Sequence, residues 1–383
     1  MAIFMNKISK MMTIVLFFGL LLILPFLTLV SPKEKFSEIE NRTLATVPEF
    51  SVENVKNKTY MNGIENFLSD NFMLRPKWIG IKTDVELMSG KNETNGVYIL
   101  KDKLLEKLEP PNYQDVDKSI SAINNFASKV KAPVFVMVAP TATGIYSEEL
   151  PDNAPKFDQK ALINNVYDKL DSKIVTLDAY GALFPTRDEY IYYRNDHHWT
   201  TLGAYYAYAS TIKKMGFSPI LSDQYDIEHA SNDFKGTLYS KSLYDGIKAD
   251  TIDFYHYKNG TNVTSVDVQQ GVQTKSYDSM YFRDFLEKKD KYSSFLGTNQ
   301  PLITIKTDSK NKSKLLVIKD SYAHSFVPFL TQHYSEITMV DLRYINESMD
   351  KIVDISKYDQ ILFLYNASNF ATDQNIKKLN YVK

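Results

Sequence analysis

Between Met11 and Val30 the chain runs MMTIVLFFGLLLILPFLTLV without one charged side chain. Coiled as a helix, this segment measures about 30 Å, the thickness of a bilayer's hydrocarbon core. It is longer than the apolar core of a secretory signal, and no small-x-small cleavage site follows it, so it reads as a retained transmembrane anchor. Pro25 is tolerable within such a span. Lys7 and Lys10 precede the run and place the rest of the chain outside the cytoplasm, although Lys33, Lys35 and Arg42 just beyond it dilute the bias. The expected topology is therefore a single pass through the cell membrane, with an extracytoplasmic functional region.

Composition narrows the remaining choices. The chain has 383 residues, 44% hydrophobic and 24% charged, enough for one large domain or two smaller ones. A net charge of −1 supplies no global field for nucleic acid. The absence of cysteine excludes disulfides, thiolate nucleophiles and cysteine-based zinc sites. The 26 tyrosines and 22 phenylalanines suit polar ligands with flat apolar faces, such as sugars, and equally suit an AT-rich coding bias.

Three regions follow along the chain. Residues 1–30 are the cytoplasmic tail and anchor. Residues 31–111 begin as a polar stalk, continue with helical spacing over 60–90, broken at Arg75–Pro76, and end in a short hairpin over Val97–Leu105 opened by Asn95–Gly96. From about residue 112, short apolar runs alternate with helical patterns. The runs are VFVMVA (134–139), Ile174–Leu177, KLLVI (314–318), EITMVDL (336–342) and QILFLY (360–365). Such alternation predicts a central parallel sheet covered on both faces, over 112–383. Residues 217–310 interrupt it with alternating polar and apolar positions, which predicts an antiparallel insertion beside the cleft.

Two constellations carry chemistry. In YYRNDHHWT (192–200), an extended backbone would put Asp196 and His198 on one side and His197 on the other. A carboxylate beside an imidazole fixes its tautomer and stabilises its protonated form, which selects His198 as a base. The alternatives are an ordinary hydrogen-bonded Asp-His pair, or a metal site that lacks a third ligand pattern. Trp199 suits packing against the imidazole better than touching a ligand. In LVIKDSYAHSFV (316–327), a buried strand runs into Asp320–Ser321 and then a helix predicted over 321–331. Ligands of open α/β sheets sit at such turns, and a serine there has its N–H at a helix N-terminus. Helix capping is the plain reading of Ser321, but Asp320 can supply that cap. Together the two motifs hold a nucleophile, a base and an orienting acid.

DHHW at 196–199 with the strand–KDS–helix element at 317–323 resembles the DHHW family of bacterial envelope proteins. That family is similar to the alginate O-acetylation proteins and to PatB-type polysaccharide O-acetyltransferases. The resemblance extends through ENRTLATVPEF (40–50), FLSDNFMLRPKWI (67–79), VYILKDKLLE (97–106), DFKGTLYSKS (233–242), KYSSFLG (291–297) and YDQILFLYN (358–366). It implies an SGNH-hydrolase-like three-layer α/β/α fold, circularly permuted because Asp-x-His precedes the serine. It also implies Ser321 as nucleophile, His198 as base and Asp196 as its partner, with no cofactor or metal. The expected activity is transfer of acetyl to a hydroxyl of an envelope polysaccharide, with a membrane-bound O-acyltransferase as acetyl supplier. A polysaccharide esterase and a non-catalytic binding scaffold are the alternatives. The usual glycine and asparagine blocks of SGNH proteins are not evident, so the oxyanion and substrate candidates are Arg343, Asn366 and Trp199, besides the Ser321 amide.

Overall fold

The computed structural model describes residues 2–40, 42–155, 157–258, 260–271 and 273–382. Asn41 of the 40–50 stretch, and Asn259 and Val272 of the 217–310 segment, lie outside the described residues. Two compact units emerge, one of residues 1–91 with 240–244, the other of residues 92–239 with 245–383.

In the first unit a helix runs from Ala2 to Val30, widened to a π turn over Gly19–Ile23. Pro25 brings no N–H and its ring crowds the preceding turn, and the π turn just ahead of it makes room. The stretch Ile8–Val30 is long and apolar enough to cross a membrane. Helices α1 (Thr59–Asp70) and α2 (Arg75–Met88) follow, broken where Leu74 takes a φ of 60°. Pro76 sits in the first turn of α2, where a missing N–H costs nothing. Arg42 grips Asp70 through two bonds of 2.9 and 2.6 Å, and Arg75 meets Glu40 at 2.9 Å, tying the stalk to the helix pair.

The second unit opens with a three-stranded ribbon, Glu93–Thr94, Val97–Ile99 and Leu104–Glu106. Asn95 and Gly96, at φ 48° and 77°, make the tight turn between its first two strands, so they close a hairpin of their own and do not merely precede one. Eight strands build the main sheet: β1 (Val134–Ala139), β2 (Val175–Thr176), β3 (Val263–Gln270), β4 (Gln273–Tyr277), β5 (Leu302–Thr307), β6 (Lys314–Lys319), β7 (Glu336–Val340) and β8 (Gln360–Asn366). Their order is β4-β3-β5-β7-β6-β8-β1-β2. The block from β7 to β2 is parallel, and β5, β3 and β4 extend it antiparallel. The 217–310 segment is thus antiparallel but not separate: β3, β4 and β5 lengthen the main sheet. Tyr225–Phe234 and Asp250–Tyr257 form their own two-stranded ribbon.

Alternate residues of each central strand feed opposite cores. Leu315 and Val317 face one, which also holds Trp199, Tyr208 and Phe326; Leu316 and Ile318 face the other, with Phe126, Leu162 and Phe370. Both faces are therefore sealed, which is why these strands read as unbroken apolar runs. Helices α3 (Tyr113–Lys129) and α4 (Gln159–Lys169) cover the second core, while α5 (Thr201–Thr211) and α6 (Ala323–Leu330) cover the first. Helix α6 starts two residues later than expected, leaving Ser321 and Tyr322 in a turn.

Candidate active site

The DHHW segment is not extended. Tyr192 pairs with Trp199 across an isolated antiparallel bridge, and the Tyr193 N–H reaches the His198 carbonyl at 3.3 Å, so residues 194–198 form a tight loop. Asp250, buried beneath it, accepts the Arg194 and Asn195 N–H groups at 2.8 Å each and the Tyr190 hydroxyl at 2.6 Å. These bonds close a loop whose inward amides would otherwise lack partners.

Within the loop Asp196 Oδ1 accepts the His198 N–H at 3.0 Å and contacts His198 Nδ1 at 2.6 Å. Asp196 and His198 pair through this local turn rather than through strand alternation. Asp196 Oδ2 accepts the N–H and hydroxyl of Thr237 at 2.8 and 3.0 Å. Gly236 makes that approach possible, because a Cβ there would overlap the Asp196 carboxylate. His197 turns aside to Thr237 Oγ1 at 2.6 Å.

From the other side comes Ser321, two residues past β6. Its Oγ lies 2.7 Å from His198 Nε2, completing a hydrogen-bonded chain Asp196–His198–Ser321 with all three side chains buried. Among the described residues the Ser321 N–H has no partner, which leaves it available to an oxygen carrying negative charge. Asp320 supplies the turn that frees it: one oxygen accepts the Tyr322 N–H at 2.9 Å, the other the Asn366 and Asn369 side-chain amides at 2.8 and 2.9 Å.

Burial holds the His198 imidazole down at about 4, the charge of His197 adds to this, and Asp196 opposes it. His198 is then neutral at ordinary pH, with its proton on Nδ1 toward Asp196 and Nε2 free to accept. Burial alone would raise Asp196, but the two histidines and the Thr237 amide hold it well below the usual carboxylate range. Asp196, His197 and His198 present ligand atoms within 4.8 Å of one another, a spacing a metal ion could use. Both His198 nitrogens are already engaged, by Asp196 and Ser321.

The other candidates take different places. Trp199 is fully buried and its one N–H donates to the Tyr322 carbonyl at 3.1 Å and Ser325 Oγ at 2.9 Å, so it packs and cannot hold a ligand. Asn366 is buried, donates one amide N–H to Asp320 and accepts the Asn369 N–H on its oxygen, capping the helix Ala367–Thr372 and helping to hold Asp320. Arg343 follows β7, the strand beside β6, and grips Asp341 at 2.8 and 2.6 Å while keeping 28% of its side chain exposed. Its charge acts on Asp320, the residue before Ser321. Lys319, wholly buried, ties the neighbourhood together through Asn299 at 3.1 Å, His324 at 2.7 Å and Asp341 at 3.4 Å; burial brings its ammonium down to about 8.

Tyr292 carries no sequence signal of its own, yet its ring stacks on His198 at 3.7 Å and 8°, and its hydroxyl donates to the Ser321 carbonyl at 3.0 Å. It lies in KYSSFLG, as Gly236 and Thr237 lie in DFKGTLYSKS. Only the family resemblance, not local spacing, marked those stretches.

A mostly parallel α/β sheet with a buried Asp–His–Ser chain at its carboxyl edge defines an α/β protein of the serine-centred kind. A family model for DHHW protein matches residues 81–340, and the chain belongs to that family. No curated protein matches the chain. Among solved structures it is similar to a DHHW family protein from Eubacterium siraeum, 27% identical, at a TM-score of 0.63 over 76% of this chain and 96% of that one. It also shares its fold with Bacillus cereus PatB1, solved with a sulfonyl adduct, 20% identical at a TM-score of 0.64 over 75% of this chain and 98% of that one.

Proposed function

We propose that the chain is a membrane-anchored, extracytoplasmic serine O-acetyltransferase acting on hydroxyls of an envelope polysaccharide or exopolysaccharide. The carrying observation is the 2.7 Å contact between Ser321 Oγ and His198 Nε2, backed by Asp196, beside a Ser321 N–H that has no partner among the described residues. The PatB1 fold and its sulfonyl adduct support the same reading. Asp196 and His198 preceding Ser321 is the order expected of a circularly permuted SGNH-hydrolase-like chain.

In this mechanism Ser321 Oγ attacks the acetyl carbonyl carbon while His198 Nε2 takes the hydroxyl proton. The Ser321 N–H holds the developing oxyanion, and Arg343 is the candidate second donor. Collapse expels the donor's leaving group, which takes the proton from His198 and leaves an acetyl ester on Ser321. A sugar hydroxyl then gives its proton to the same nitrogen and attacks that ester, and Ser321 departs reprotonated. The acetyl supplier is a membrane-bound O-acyltransferase.

Treating the protein with an activated acetyl ester tests this, with peptide mass spectrometry to locate the adduct. The acetyl group is expected on Ser321, and oligosaccharide should discharge it faster than water does. An unlabelled Ser321 leaves the scaffold reading, and discharge by water alone leaves the esterase. Because His198 must be neutral to act, the acylation rate should hold level from neutral pH downward and fall only through about 4. An inflection at or above the ordinary histidine value would show that pairing with Asp196 outweighs burial.

Gly236→Ala should cost about 10²-fold in kcat/KM, because displacing the Asp196 carboxylate moves the imidazole off line with Ser321. Ester turnover measured beside a circular dichroism melt checks it; unchanged turnover in a folded variant contradicts the close approach.

A further inference from the structure

Helix α2 turns one polar-packed face inward and an apolar one outward. Thr83 is buried with its hydroxyl on the Ser242 carbonyl at 2.6 Å, and Gly80 lies on the same side, against the Leu243 carbonyl. On the opposite side Leu74, Trp78, Ile81, Val85 and Met88 are exposed, Val85 at 58% and Met88 at 87%. The spacing of four, three, four and three lines them up as one stripe. Exposed Lys77, Lys82 and Asp84 flank it, and Lys82 lies 3.8 Å from Glu86. A contiguous apolar stripe in water is costly, and marks a surface that something covers.

Its attachment says what covers it. The Met73 N–H, just ahead of α2, donates to Thr28 Oγ1 at 3.1 Å, and Thr28 lies in the last turn of the apolar Ile8–Val30 helix. The stalk between them is clamped by the Arg42–Asp70 and Arg75–Glu40 pairs. The foot of α2 is therefore held where a membrane helix leaves the hydrocarbon. The Trp78 indole N–H is satisfied within the chain, by the Met73 carbonyl at 3.2 Å, so its ring can enter an apolar phase without leaving a donor bare.

We propose that α2 is an interfacial helix, seated by its Leu74–Trp78–Ile81–Val85–Met88 stripe in the headgroup and acyl boundary of the bilayer that the anchor enters. Such helices sink about 5–10 Å into that boundary, with lysines at the flanks meeting anionic lipid. The seat gives the polypeptide a second hold on the membrane, beyond the single span. This rests on the anchor reading of residues 8–30.

The chain's two tryptophans allow a direct test, since Trp199 is fully buried and Trp78 lies on the stripe. The full-length protein is reconstituted in phosphatidylcholine–phosphatidylglycerol vesicles, with and without bromine on the acyl chains. Bromine should quench the Trp78 part of the emission about twofold, and Trp78→Phe should remove the effect. Because the chain has no cysteine, Val85→Cys carries a single spin label, expected to meet oxygen more than a water-soluble nickel complex. Vesicle-bound protein without quenching, or a label open to nickel, overturns the proposal. So does a label shielded from both reagents, which points to a protein cover. Failure of the protein to float with vesicles overturns the anchor itself, and is read separately from acetyl transfer by the same sample.

Discussion

Ser321→Ala is expected to lower ester turnover by roughly 10⁵–10⁶-fold while the protein stays folded. The serine hydroxyl makes one described side-chain bond, to His198 Nε2 at 2.7 Å, and the surrounding turn is held by Asp320, Asn366 and Tyr292 instead. Removing one oxygen therefore leaves the backbone, the Asp196–His198 pair and the free N–H in place while the attacking atom is gone. Turnover of a chromogenic acetyl ester, with a melting curve beside it, separates the two effects. A folded variant within tenfold of the parent would remove Ser321 from the reaction.

Asp196→Asn is expected to cost about 10⁴-fold, for a different reason. All the contacts of this carboxylate are accepted ones: Oδ1 faces the His198 N–H and Nδ1, and Oδ2 faces the Thr237 N–H and hydroxyl. An amide of the same shape can satisfy only one side. With its oxygen toward Thr237, its NH₂ faces His198 and drives the imidazole proton to Nε2, where it blocks acceptance from Ser321. With its oxygen toward His198, its NH₂ opposes the Thr237 N–H in a buried place, at about 1–3 kcal/mol of stability. The test is kcat/KM together with thermal unfolding. Full activity in the variant would mean that the tautomer of His198 is fixed by something other than Asp196.

Strand composition carried most of the fold. The six residues 134–139 around Met137 and the four residues Leu315–Ile318 around Val317 are apolar without a break because both faces of each strand are sealed, and this is legible from the sequence. The antiparallel extension was legible in kind but not in place: nothing in the pattern of β3 or β5 says that β5 pairs with β7 across the intervening β6 and α6 of the chain. For the site, Asp196, His198 and Ser321 were legible because each sits at a local signal, a spacing of two or the end of an apolar run. The geometry behind the first was misread, since the loop folds back through Asp250, more than fifty positions away. The packing role that suited Trp199 fits its buried ring, whereas the bond from Asn366 to Asp320 was not legible, because sequence shows where a polar group lies but not which partner it meets. Tyr292 was invisible because stacking needs only a ring in the right place, and any of the tyrosines offers one.

The stack of Tyr292 on His198 has a kinetic corollary. Clasped between that ring and Asp196, the imidazole has no room to swing between two stations during a catalytic cycle. One nitrogen must serve the incoming and the outgoing half-reactions from a fixed stance, so donor and acceptor queue for a single doorway. Saturating glycan should then compete with the acetyl donor for the free enzyme, and double-reciprocal plots should run parallel until that crowding bends them.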